Sequence, residues 1–108
     1  RICVINPFAG TEHNSRENLE TVAAPGTTFD LVNIADGIFD EQSVALLQTQ
    51  LYRSDDDRAI QAEREGYDAV LISCNLDIGL YECRQMCTIP ITSALESTAL
   101  AAHMMWRR

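Results

Sequence analysis

Cys74 is the residue in this chain best placed to do chemistry. It follows the apolar run Ala69-Val70-Leu71-Ile72 by way of Ser73, and the polar Asn75-Leu76-Asp77 comes next, ahead of a helix-forming stretch. A thiol between a buried strand and a helix start feels the positive end of the helix dipole, which favours the thiolate. Such a thiolate can take a proton as a general base or attack as a nucleophile. The competing reading is a small buried core residue. Asn6 ends a second apolar run, Ile2-Cys3-Val4-Ile5, and Asn75 follows the cysteine. Either amide can donate to a carboxylate or an imide, or simply stabilise its own turn. Thr11 reads as a helix cap or a ligand donor. Asp77 reads first as the N-cap of the helix that follows, and second as a carboxylate near the thiol.

Other chemistries lack a pattern. Cys3 sits mid-strand, and Cys83 and Cys87 share a helix face with Leu80, so packing explains these three. The spacing Cys74-x8-Cys83-x3-Cys87, with His13 and His103 remote, is not a zinc pattern, and no metal is expected. There is no Cys-x-x-Cys redox motif, and four cysteines in 108 residues read as reduced thiols of a cytoplasmic protein. Gly10 stands alone, without dinucleotide or P-loop spacing, and no cofactor is implied. The run Ser54-Asp55-Asp56-Asp57 fits a solvated helix start better than a metal site, with Ser54 as cap.

The elements that position these residues follow from periodicity and breakers. Ile2 to Ile5 is a continuous apolar run, as in a strand buried on both faces. Pro7 is expected to end it in a turn. A helix capped by Asn14 or Ser15 runs to about Ala24, and Pro25-Gly26 breaks it. A second strand covers 27–35. A helix covers 40–53, with Val44, Leu47 and Leu51 on one face, and another follows Ser54 until Gly66. Residues 69–72 form the clearest buried strand, 78–86 a helix, and Ile89-Pro90-Ile91 a short strand. Ser93-x-x-Glu96 is a capping box for a last helix. That helix carries Leu95, Ala99, Ala102, Met105 and Trp106 on a stripe that requires a surface to pack on.

Strands alternating with helices imply an α/β layer fold with a mainly parallel sheet. The reading is one flavodoxin-like, three-layer domain over 1–108 with a four-stranded sheet. Such sheets bind ligands at the C-terminal ends of their strands, where Asn6 and Cys74 stand. Composition agrees with a folded domain: 46% of residues are hydrophobic and 22% charged. Eight basic residues, all arginine, against 16 acidic ones give a net charge of −8, which argues against nucleic-acid binding. No apolar stretch approaches the roughly 20 residues of a membrane span, and the start reads as a strand and not a signal peptide.

Three segments together resemble the Asp/Glu/hydantoin racemase superfamily, most closely its hydantoin racemase branch. Residues Arg1 to Pro7 resemble the opening strand and its Asn-Pro turn. Tyr67 to Leu80 resemble the segment holding the first catalytic cysteine. Ile89-Pro90-Ile91 through Glu96 resemble the strand and acidic-plus-small helix start that follow. The resemblance implies cofactor-independent racemisation with two bases: one cysteine thiolate removes the Cα proton, and a second thiol on the opposite face returns one. It makes Cys74 one acid/base, and makes Asn6 and Asn75, with Thr11 as a weaker candidate, ligands of an amino acid or hydantoin. Oriented donors would stabilise the developing enolate-like charge.

The chain departs from the family in three places. Phe8 stands where a polar residue usually follows Asn-Pro. Asp77-Ile78-Gly79-Leu80 replaces an Asp-Pro-Gly-Leu run. The length is about half of a family member, whose two similar lobes each donate a cysteine. The chain is then an N-terminal lobe carrying half a site, or an enzyme completed by a second copy in a homo-oligomer. The remaining reading is a ligand-binding or interaction domain that kept the fold and lost the reaction.

Overall fold

The computed structural model describes residues 1–8, 16–35 and 57–106. The helix expected over 40–53, the caps at Asn14, Ser15 and Ser54, and Thr11 lie outside the described residues.

Four strands, β1 (Ile2–Phe8), β2 (Phe29–Ala35), β3 (Ala69–Ile72) and β4 (Ile91–Ser93), form one sheet in the order β2-β1-β3-β4. Every pairing is parallel, which confirms the α/β class with a four-stranded parallel sheet. The helices are α1 (Arg16–Val22), α2 (57–64), α3 (Leu80–Met86) and α4 (Ala94–Met105).

The two-residue period of the strands divides the sheet into faces. Cys3 and Ile5 of β1 align with Val70 and Ile72 of β3, and Val70 with Ile91 of β4. These five side chains form one buried cluster with Ala59 and Ala62 of α2 and Leu80 and Cys83 of α3. Val4 and Phe29 are buried on the other face. A central strand enclosed on both sides explains the unbroken apolar run at Ile2–Ile5.

Local sequence sets the element ends. After α2, Gly66 takes φ +78°, and its N–H donates to the Glu63 carbonyl at 3.1 Å. The Tyr67 N–H donates to the Ala62 carbonyl at 3.1 Å. That pair of bonds is a Schellman ending, which glycine completes without Cβ strain. Pro90 precedes β4, which runs Ile91–Ser93 instead of the expected 89–91. Its carbonyl accepts from the Val70 N–H at 2.9 Å, while its missing donor costs the ladder nothing.

Pro7 does not turn the chain as expected: β1 continues through it to Phe8. The Ile5 carbonyl accepts from the Ser73 N–H at 2.8 Å, so odd residues of β1 direct their backbone polar groups toward β3. The β1–β3 ladder stops at the Ile5–Ile72 pair, whereas β1 and β2 stay paired to Phe8 and Ala35. At Pro7 no β3 strand remains to receive a donor, and the proline is tolerated within the strand.

At the N-terminal end of the sheet, polar groups pair closely. Arg1 donates from Nε to Asp30 at 2.8 Å and from Nη2 to the Tyr67 hydroxyl at 2.8 Å. The Tyr67 hydroxyl donates to Asp30 at 3.0 Å, and Arg16 donates to the other Asp30 oxygen at 3.3 Å. The Arg1 guanidinium also lies 4.0 Å from the Tyr67 ring centroid. The hydrogen bonds from Arg1 and then Tyr67 hold the Asp30 carboxyl below its ordinary range.

No residue of α4 is buried. The stripe expected to need a surface has none among the described residues: Leu95 is exposed, and Met105 and Trp106 are 86% and 82% exposed. Leu100 and Met104, off that stripe, are exposed as well. A helix apolar on more than one side belongs to buried surroundings.

Candidate functional site at the strand switch point

The chain moves from β1 to β2 in one direction and later places β3 on the other side of β1. That reversal is the switch point at which open parallel sheets hold ligands. Here it coincides with a gap in strand pairing, because the β1–β3 ladder ends at Ile72 while β1 runs on to Phe8. Asn6 follows the last pair on the β1 side, and residues 73–79 follow it on the β3 side.

Cys74 is 6% exposed and joins the core cluster with Cys3 and Ile5. Its sulfur accepts a hydrogen bond from the Leu76 N–H at 3.4 Å. The expected helix at 78 begins instead at Leu80, so residues 75–79 separate the thiol from α3. The donor on the sulfur is therefore a loop amide and not a helix terminus. Gly79, with φ +72°, occupies the N-cap position without a side-chain cap bond, so the reading of Asp77 as a cap fails.

Asp77 has φ +49°, a left-handed conformation that Asp tolerates better than most residues. Its carbonyl accepts from the Leu80 N–H at 3.2 Å, which closes the turn into α3. Its Oδ1 is buried and has no hydrogen-bond partner among the described residues.

Asn6 is 4% exposed, and its Nδ2 donates to the Asn33 Oδ1 at 3.1 Å. The two residues are register partners on β1 and β2, on the face that also carries Val4. Cys74 belongs to the opposite face. The structure thus brings Asn6 and Asn33 together and sets Cys74 across the sheet end from them. Asn75 is exposed in the loop beside the thiol. Asn33 is absent from the sequence reading. Its signal is a polar residue interrupting the apolar strand Leu31-Val32-Asn33-Ile34.

The β4 side of this end is braced. Ser93, fully buried, accepts from the Glu96 N–H at 3.2 Å, half of the expected capping box. The Glu96 carboxylate does not return to Ser93. It takes two bonds from Arg84, at 2.8 and 2.5 Å, and these hold its carboxyl below the ordinary range. Arg84 Nε donates to the Ile91 carbonyl at 2.9 Å.

The other thiols fit packing. Cys3 and Cys83 are fully buried, Cys87 is half-buried, and none of the four cysteines is in a disulfide. Burial pushes the Cys3 thiol up, against an opposing pull from Arg58. Among the described residues, no three His, Cys, Asp or Glu side chains gather to hold a metal ion, and no helix is long and apolar enough to cross a membrane.

Comparison with known proteins follows the same lines. No curated protein matches the chain. Its fold is similar to the allantoin racemase from Klebsiella pneumoniae, with a TM-score of 0.74 and 21% identity. The match covers 95% of this chain and 42% of that one, so the chain spans about two-fifths of its structural relative. The Asp/Glu/Hydantoin racemase family model matches residues 2–108, and the chain belongs to that family.

Proposed function

We propose that this chain is one lobe of a cofactor-independent racemase acting on an amino acid or a hydantoin, with Cys74 as one of its two acid/base groups. The observation that carries this reading is a thiol at the sheet's switch point whose sulfur accepts a loop N–H. A backbone donor aimed at sulfur supports the charge that a thiolate bears while it removes a Cα proton. Burial keeps water from competing for that proton.

Asn6 and Asn75 supply amide donors on the two sides of the gap. A ligand lying across the strand ends can be reached by both, its carboxylate or ring carbonyl gaining negative character as the proton leaves. The Asn33 contact fixes which way the Asn6 amide faces. Thr11 is the further candidate donor.

A two-base racemase needs a second thiol on the far side of the Cα. Cys83, on the buried face of α3, is fully enclosed and cannot provide it. A second lobe provides it, either in a longer chain or as a second copy of this one. The exposed apolar faces of α4 support a lobe-to-lobe contact.

The test follows loss of circular dichroism from enantiopure 5-substituted hydantoins, aspartate and glutamate over a range of chain concentrations. If a second copy completes the site, racemisation per chain rises with concentration as dimers form, and Cys74→Ser abolishes it. Racemisation that persists in Cys74→Ser would refute the assignment.

A further inference from the structure

We propose that Asp77 is a ligand-binding residue of this site, its buried Oδ1 accepting a hydrogen bond from a nitrogen–hydrogen group of the bound molecule. The inference rests on the amino-acid or hydantoin reading above and extends it to the ligand's nitrogen.

Three observations carry it. The oxygen is buried and unpartnered, and a carboxylate oxygen withdrawn from water without a donor is a standing cost in the folded state. The structural explanation, capping of α3, is removed because Gly79 holds the cap position and no side chain caps the helix. Arg84, a cation of α3 that interacts electrostatically with Asp77, directs its guanidinium elsewhere, to both Glu96 oxygens and to the Ile91 carbonyl. An acceptor held three residues beyond Cys74, in a loop with left-handed residues at 77 and 79, and without a donor among the described residues, suits a donor from a ligand.

The ligand class is defined by its nitrogen. A hydantoin ring presents N–H groups and an amino acid presents an ammonium, and both are donors that a carboxylate oxygen accepts. Asn6 and Asn75 hold the carbonyl or carboxylate side, so Asp77 complements them with the opposite polarity.

The experiment titrates the protein, followed by amide NMR shifts, with a 5-substituted hydantoin and its two N-methyl analogues. A second arm uses aspartate, glutamate and their N,N,N-trimethyl betaine derivatives, whose quaternary nitrogen carries no hydrogen. Wild type, Asp77→Gly and Asp77→Asn are compared, with thermal unfolding measured beside binding. Glycine suits the backbone at 77, which keeps the fold out of the comparison. In the wild type, removing the relevant N–H is expected to weaken binding at least tenfold. In Asp77→Gly that discrimination disappears, while the Tm rises because the orphaned oxygen is gone. The arm that shows the discrimination identifies the ligand class.

Equal sensitivity to N-methylation in wild type and Asp77→Gly overturns the proposal, and so does a complete lack of binding by the wild type. Asp77-dependent discrimination without any Cα proton exchange would sustain the binding role and overturn the racemase reading instead.

Discussion

The two ends of this sheet are built from similar residues and treat them differently. At the N-terminal end, Asp30 receives Arg1, Tyr67 and Arg16, and the guanidinium of Arg1 is shared among a carboxylate, a hydroxyl and a ring face. At the C-terminal end, a buried asparagine meets another asparagine, a buried thiol takes a loop amide, and a buried carboxylate oxygen has no partner. The first arrangement locks strands together. The second includes a carboxylate oxygen that no described group bonds. A buried carboxylate oxygen left without a donor marks a place that a ligand can complete.

Substitutions at the two ends should separate these roles. The largest effect is expected from Cys74→Ser, which lowers Cα proton transfer in the assembled enzyme by about 10²–10⁴-fold, the usual worth of a positioned acid/base. Because Cys74 packs in the core cluster, the variant also loses about 1–3 kcal/mol in urea unfolding, and proton transfer is compared on folded protein. Ile5→Ala cuts into the strand that bears both ends and costs about 2–5 kcal/mol of stability, measured by urea unfolding. Gly66→Ala costs about 1–2 kcal/mol through its left-handed backbone alone, because an added Cβ meets nothing within 4 Å. Tyr67→Phe removes one hydroxyl from the satisfied end and costs about 1 kcal/mol, with no change in proton transfer.

The smallest effect is in pH dependence. The Asp30 carboxyl is held below its unfolded value by Arg1 first and Tyr67 second. Its stabilisation is therefore present above the ordinary carboxylate range and is lost as pH falls through its folded value. Urea midpoints taken from pH 7 down to pH 3 should decline, and Asp30→Asn should flatten the decline. Glu96, held down by Arg84, follows the same sign, so Glu96→Gln removes a second share of it. A steeper decline in either variant would contradict the pairing.

Much of the fold was legible because its signals are local. The apolar runs at 2–5 and 69–72, the breaker at Pro25-Gly26 and the stop at Gly66 each act through their own backbone. Pro7 misled because its tolerance depends on where β3 ends, a fact set by pairing across more than sixty residues of sequence. The capping box at Ser93 was half right: its local bond forms, but Glu96 prefers a guanidinium from α3. Asp77 misled for a related reason, since a helix start two residues later removes its capping role. At the candidate site, the placement of Cys74 just past β3 and of Asn6 late in β1 was readable from the apolar runs that precede them. Asn33 was not, because its meaning comes from register with Asn6.

The central claim is that Cys74 moves a Cα proton at the β1–β3 gap. Solvent-deuterium incorporation at Cα tests it most directly, read by NMR on 5-substituted hydantoins, aspartate and glutamate with wild type and Cys74→Ser side by side. The account predicts exchange in the wild type and its loss in the variant. Loss of optical activity during exchange means a second thiol has joined the site, and retained configuration means one working base. Absence of exchange in the wild type on every substrate, or undiminished exchange in Cys74→Ser, would contradict it.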